Sequence, residues 1–225
     1  MTSPQLIIFD WDGTLMDSIA RIVSSMQATA SFLKLKVPSD NAVKDIIGLS
    51  LEPAIEQLFG TLPAAQHQLF LERYRDEYIE LNTTPTPLFR DALVTIEKLR
   101  TEQHYLAVAT GKARRGLDRV WAELEIADLF HGSRCADETK GKPDPEMLYQ
   151  LMSELDFSPQ QTLMVGDSVH DMRMAKAAGV KAIGVTFGVH NEPLLRQAGA
   201  DHVIRQLHQL PDLIKGLLCR KEISY

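Results

Sequence analysis

A chain of 225 residues is long enough to bury a sizeable core, as one large domain or two modest ones. Its 44% hydrophobic and 24% charged content are ordinary for a soluble globular protein, and a net charge of −6 without a basic block speaks against a nucleic-acid groove or an anionic membrane surface, leaving a small molecule as the expected partner. There is no charged and apolar leader pattern, no apolar run near the ~18 residues of a membrane span, and no metal-ligand spacing around Cys135 or Cys219, so a cytoplasmic protein with free thiols is expected.

Leu6, Ile7, Ile8 and Phe9 make a short apolar run bounded by turn chemistry at Gly13, the pattern of a strand buried on both faces. Ile19, Ile22, Val23, Met26, Ala30 and Leu33 then recur at helical spacing from an opening near Asp17-Ser18. Pro38-Ser39-Asp40 breaks this helix and caps a short one running to Ile47, which Gly48 stops; further helices are expected over 52–59 and 63–80. Nothing from Met16 to Thr84 reads as a strand, and the rigid Thr83-Thr84-Pro85-Thr86-Pro87 segment closes this helical block.

From Leu88 the pattern alternates between helix and strand, the signature of a parallel sheet with helices on both faces. Leu93, Ile96 and Leu99 mark a helix, residues 105–109 a buried strand, and Leu117, Val120, Trp121 and Leu124 another helix, followed by Leu129-Phe130 and a loop. Leu148, Leu151, Met152 and Leu155 share the next helix; 162–165 and 181–185 read as strands on either side of a helix around Met172 and Ala175. Val203-Ile204 is a weaker peripheral strand, and Leu207, Leu210, Leu213, Ile214 and Leu217 lie on a closing helix. The helical block separates the first strand from its sheet partners, so it is an insertion. Residues 1–15 and 85–225 are expected to form an α/β core, and 16–84 a helical cap over the carboxyl ends of the strands, where such sheets bind ligands.

Polar chemistry collects at those strand ends. In an extended chain Asp10 and Asp12 fall on one side while Trp11 points away. Two carboxylates about 4 Å apart repel by roughly 4 kcal/mol at an effective dielectric of 20, so a cation or a shared proton is expected beside them. The second strand ends in Thr110-Gly111-Lys112, and the third in Gly166-Asp167 with Asp171 four residues on. Between them two prolines fix the backbone around Lys142 in Lys140-Gly141-Lys142-Pro143-Asp144-Pro145. Each piece alone has a plainer reading: a turn at Asp10-to-Gly13, a helix entry at Thr110-Gly111, a surface lysine at 142, an N-cap at Asp167. Four segments bringing complementary groups to one sheet edge in order favour a site.

The set Asp10-Trp-Asp12-Gly-Thr, Thr110-Gly111, Lys142-Pro143 and Gly166-Asp167-Ser-Val-His-Asp171 resembles the haloacid dehalogenase superfamily, in its phosphoglycolate phosphatase-like branch with a helical cap after the first motif. The resemblance spans essentially the whole chain. It implies a Rossmann-like three-layer core with a mostly parallel sheet, and phosphate transfer to Asp10 as covalent nucleophile with Asp12 as general acid and base. Mg²⁺ would be held by the Asp10 carboxylate, the Asp12 backbone carbonyl and Asp167, with Asp171 direct or through water. Thr110 and the Gly111 amide would take phosphoryl oxygens, and Lys142 would neutralise the transferring group. With Asp12 protonated, the negative charges of Asp10, Asp167 and Asp171 balance those of Mg²⁺ and Lys142.

The cap turn Gly48-Leu49-Ser50-Leu51, where relatives commonly read the leaving group, carries no charge, so Gly48 and Ser50 are specificity candidates or merely a helix–helix turn. Arg21, Lys44, Arg73 and Arg75 are cap cations that could serve instead. The expected partner is a small phosphorylated metabolite, phosphoglycolate or a sugar phosphate, and the protein a monomer or homodimer. A sugar phosphomutase and a pyrophosphatase are the alternatives within the fold; a non-catalytic binding protein is the alternative outside enzymes, and dehalogenation fits the motif set less well.

Overall fold

A computed structural model describes residues 4–222 of the chain, with side chains through 219. Six strands form one parallel sheet: β1 (Leu6–Phe9), β2 (Tyr105–Ala109), β3 (Gly132–Arg134), β4 (Thr162–Gly166), β5 (Lys181–Val185) and β6 (His202–Ile204), in the order β3-β2-β1-β4-β5-β6. The order reverses between β1 and β4, which places a crevice beyond their carboxyl ends. Leu6 pairs with Tyr105 on one side and Thr162 on the other, so the first strand sits at the sheet's centre.

Alternation along β1 divides the core. Ile7 and Phe9, followed by Trp11, face a cluster with α5 (Ala92–Thr101), α6 (Arg114–Leu124) and α10 (Leu210–Glu222). Leu6 and Ile8 face a second cluster with α7 (Glu146–Leu155), α8 (Val169–Ala178) and α9 (Glu192–Ala198). A strand buried on both faces has to be apolar at every position, and all four β1 residues are 0% exposed.

Between β1 and α5 the chain builds α1 (Ile19–Phe32), α2 (Asp40–Lys44), α3 (Leu51–Phe59) and α4 (Ala64–Asp76), the last running into a π-helical turn, Glu77–Leu81. These helices hold a separate hydrophobic cluster around Val23, Met26, Val43, Ile55 and Phe70. The two connections run side by side: Asp17 N donates to Pro87 O at 2.8 Å and Phe89 N to Leu15 O at 2.9 Å. Among the described residues no helix is long and apolar enough to cross a membrane.

The structure departs from the sequence reading at a few places. The loop expected after Phe130 contains β3, whose residues Gly132, Ser133 and Arg134 lack an apolar run because the strand is a short, half-buried edge. The expected helix over 63–80 ends in the π-helical turn, and α9 arises in a segment given no element, with Asn191 as its N-cap accepting from Leu194 N. Asp167 is not a helix cap: that role belongs to Ser168, whose hydroxyl accepts from Asp171 N.

Candidate active site

Three carboxylates meet in the crevice. Oxygens of Asp10, Asp167 and Asp171 lie within 4.8 Å of one another, and all three residues are buried. Each is fixed by its own segment. Asp167 follows β4 and accepts from Thr14 Oγ1 at 2.9 Å and Val189 N at 2.8 Å. Asp171 stands in the first turn of α8, its Oδ2 accepting from Ser168 N at 3.0 Å and Ser168 Oγ at 2.7 Å, a reciprocal capping arrangement that pins the carboxylate. Lys142 Nζ donates to Asp10 Oδ1 and Asp171 Oδ1, both at 2.6 Å, with its side chain wholly buried. Gly13 permits this closeness: its φ is +87°, and a Cβ there would come within 2.2 Å of Asp167 Oδ2.

One cation does not balance three buried acids. Burial raises the Asp10 pKa well above the ordinary carboxylate value; Lys142 opposes that, while Asp171 and Asp167 add to it. Asp167 is pushed up to about 7, by burial first and by Asp171 second. Lys142 is driven the other way from what burial alone would do, because Asp10 and Asp171 hold its proton. Asp10 Oδ2 is buried with no hydrogen-bond partner. An orphaned carboxylate oxygen within a three-carboxylate donor set is what a hard divalent cation would satisfy, since such ions take oxygen ligands and supply the positive charge that buried, mutually repelling acids lack. The residues present fit that group.

Asp12 is close in sequence but separate in setting. Its Oδ1 accepts from Ser18 Oγ at 2.6 Å and its Oδ2 lies 3.0 Å from Lys112 Nζ. Its carboxylate stands outside the three-acid group. Trp11, between the two acids, points to the opposite side and packs edge-on against Trp121 and Phe130, as strand alternation requires. Thr110 is buried, and its Oγ1 accepts from Lys112 N at 3.1 Å.

The helical insertion lies against these motifs. A Cβ on Gly111 would meet the Leu49 and Gly48 carbonyl oxygens at 2.5 and 2.7 Å, so only glycine allows this approach. Gly48 itself lies against Ser168, and Ser50 against Gly141. His170 Nε2 lies 3.1 Å from the Asp45 carbonyl oxygen, and His190 Nε2 lies 3.8 Å from the Asp45 carboxylate. Of the four insertion cations singled out in the sequence, Lys44 lines a cleft of ≈ 520 Å³ together with Asp17, Val23, Gln27, Phe187 and Val189. Arg21 Nε donates to Thr84 O, Arg73 pairs with Glu77, and Arg75 is exposed beside Asp76.

The sequence carries Thr14, Ser168 and Lys112 inside the motif segments without a role, and does not single out Ser18 or Tyr78. Thr14, Ser18 and Lys112 flank motif acids or the motif threonine, and that proximity was the available signal. Tyr78 comes from a distant helix and had none.

Strand ends, a crevice at the order reversal and a buried acid–lysine cluster mark a candidate ligand site at the edge of a doubly wound sheet. A sequence profile for haloacid dehalogenase-like hydrolases matches residues 7–185. The chain belongs to that family. It is 32% identical over 218 residues to the "Probable phosphatase IndB" of Dickeya dadantii (strain 3937), covering 95% of this chain and 94% of the relative. It is 31% identical over 218 residues to the phosphoglycolate phosphatase of Haemophilus influenzae (strain 86-028NP), covering 93% and 97%. The crystal structure of a haloacid dehalogenase-like hydrolase from Bacteroides fragilis superposes with a TM-score of 0.85 at 29% identity, over 92% of this chain and 100% of that one.

Proposed function

We propose that the protein is a Mg²⁺-dependent phosphatase for a small phosphorylated metabolite, of the phosphoglycolate or sugar phosphate type, working through an aspartyl-phosphate on Asp10. The observation that carries this is the buried, unpartnered Oδ2 of Asp10 beside Lys142 in a cluster built to hold a cation. In this reading Asp10 attacks phosphorus and the alcohol leaves with a proton from Asp12. Asp12 then takes a proton from the water that hydrolyses the acyl phosphate. Asp10, Asp167, Asp171 and the Asp12 carbonyl would hold Mg²⁺, which when bound offsets charge on the acids and the transferring phosphoryl group. Thr110 and the Gly111 amide bind phosphoryl oxygens, and Lys142, held by two carboxylates, neutralises charge that grows in the transition state.

Residues 16–84 would act as the cap over a core of 1–15 and 85–225, excluding water through the turn at Gly48 and Ser50. The contact of that turn with Gly111 and Gly141 supports this. The cleft beside Lys44 and Gln27 is of a size for a small leaving group, and Lys44 is the cation of its lining, beside Asp17 and Asp40.

Phosphate release from a panel of phosphorylated metabolites, with and without Mg²⁺ and with Asp10→Asn alongside, tests the proposal. Release that requires both the metal and Asp10 is the expected result. Metal-dependent release by Asp10→Asn, or isomerised sugar phosphate without free phosphate, would overturn it.

A further inference from the structure

Asp12 is gripped from two directions, by Ser18 at the start of the helical insertion and by Lys112 of the core, on which a ring from the insertion's end packs. Ser18, whose hydroxyl donates to Asp12 Oδ1, is the N-cap residue of α1, the insertion's first helix, and is fully buried. On the other side Lys112 Nζ, 3.0 Å from Asp12 Oδ2, lies 5.0 Å from the ring centroid of Tyr78. Tyr78 belongs to the π-helical turn Glu77–Leu81, the insertion's last. That turn is tied down: the following Asn82 donates through its side-chain amide to Ser24 Oγ at 2.8 Å and Ser25 Oγ at 2.9 Å on α1. The lysine stem is confined too, since a Cβ on Gly116 would come within 2.9 Å of Lys112 Cγ. Lys112 and Asp12 expose only 11% and 12% of their side chains, so neither is an ordinary solvated surface charge.

Nothing in the reaction as described needs a second lysine here, because Lys142 already serves the phosphoryl group. A buried cation against one oxygen of the acid–base carboxylate has a different use. It fixes which way the carboxylate points, and it meets the negative charge that appears on Asp12 as its proton passes to the departing oxygen. Aromatic cover adds a cation–π contact and removes water, which strengthens the ion pair. Among the described residues the ring over Lys112 is Tyr78, from the insertion.

We propose that Lys112 is a positioning residue for Asp12 and that Tyr78, packed on Lys112, completes it. This rests on the reading of Asp12 as general acid.

The test is kcat/KM of the full-length Lys112→Met protein with Mg²⁺ on two substrates. An alkyl phosphate needs a proton on its leaving oxygen; p-nitrophenyl phosphate, with a weakly basic leaving group, does not. Positioning of a general acid predicts a loss of about 30- to 100-fold on the alkyl ester, within the range such groups contribute, and under about 3-fold on the aryl ester. Tyr78→Leu should show the same selectivity at about 5-fold, and Lys112→Arg should recover part of the alkyl rate. Equal loss on both substrates, or no loss on either, would overturn the proposal, and Tyr78→Leu decides the same question if Lys112→Met does not fold. Asp10→Asn measured alongside separates the two claims. Turnover by that variant sinks the phosphatase reading itself, whereas an inactive Asp10→Asn with unselective Lys112→Met loss sinks only the role of Lys112.

Discussion

Asp10 and Asp12 leave the same strand end on the same side, carry the same side chain, and occupy opposite electrostatic settings. The Asp10 pocket is underpartnered: three buried acids, one lysine, one carboxylate oxygen with nothing bound to it. The Asp12 pocket is complete, each oxygen matched by a donor, Ser18 on one and Lys112 on the other. A buried carboxylate oxygen with no hydrogen-bond donor, among two other acids, suits a nucleophile and metal ligand. A carboxylate pinned by two donors suits a group that must present one oxygen, repeatedly, to a proton.

The largest expected effect breaks the underpartnered side. Asp10→Asn keeps the shape and removes the nucleophile, so phosphate release should fall by about 10³-fold or more while the fold persists, as read by kinetics beside circular dichroism. Lys142→Met comes next. Lys142 is the only described side chain that donates to the Asp10 carboxylate, and its loss leaves two buried acids facing each other. Turnover should drop severely, and breaking a buried pair should cost about 3–5 kcal/mol in the metal-free protein, partly restored by Mg²⁺ in denaturant titrations.

Turning to the far side of the same strand end, Trp11→Ala removes the fully buried ring packed on Trp121 and Phe130. It should cost about 3–5 kcal/mol in stability, measured by urea unfolding, with no recovery by Mg²⁺. That contrast with Lys142→Met separates packing from charge.

The smallest effect is one of pH. Asp167 sits at about 7 in the metal-free fold, above its unfolded value near 4. A raised folded pKa means the folded state holds the proton more tightly, so this carboxyl lowers metal-free stability as pH climbs from about 4 through about 7. Mg²⁺ takes the proton's place. The rise it gives in the unfolding midpoint should be larger at about pH 8 than at about pH 5.5, and Asp167→Asn should flatten the difference. Equal rises at both pH values in the wild type would contradict it.

Much of this was legible in the sequence because it depended on local order. The alternation that puts Trp11 opposite Asp10 and Asp12 is a property of any extended chain, and the apolar runs of β1, β2, β4 and β5 follow from burial on both faces. The β3 strand was not legible, because Gly132, Ser133 and Arg134 are edge residues whose pairing is set by β2 rather than by their own hydrophobicity. The site divided the same way. Motif acids and Lys142 carry spacing signals, whereas the partners of Asp12 are a serine that reads as a helix start and a lysine at the second strand end with no role assigned, and the tyrosine packed on that lysine lies 66 positions beyond Asp12 in a sequence that gives no hint of the contact. The Tyr78–Lys112 contact exists only after the insertion folds back on the sheet.

The most direct test of the division between the two acids is where phosphate lodges when Asp12 is disabled. Asp12→Asn should still be phosphorylated by p-nitrophenyl phosphate with Mg²⁺, since that leaving group needs no proton, but should not release the phosphate. Acid quenching and peptide mass spectrometry should find the phosphoryl group on Asp10. Phosphate on another residue, or steady turnover by Asp12→Asn with none trapped, would contradict the assignment of nucleophile to Asp10 and acid–base to Asp12.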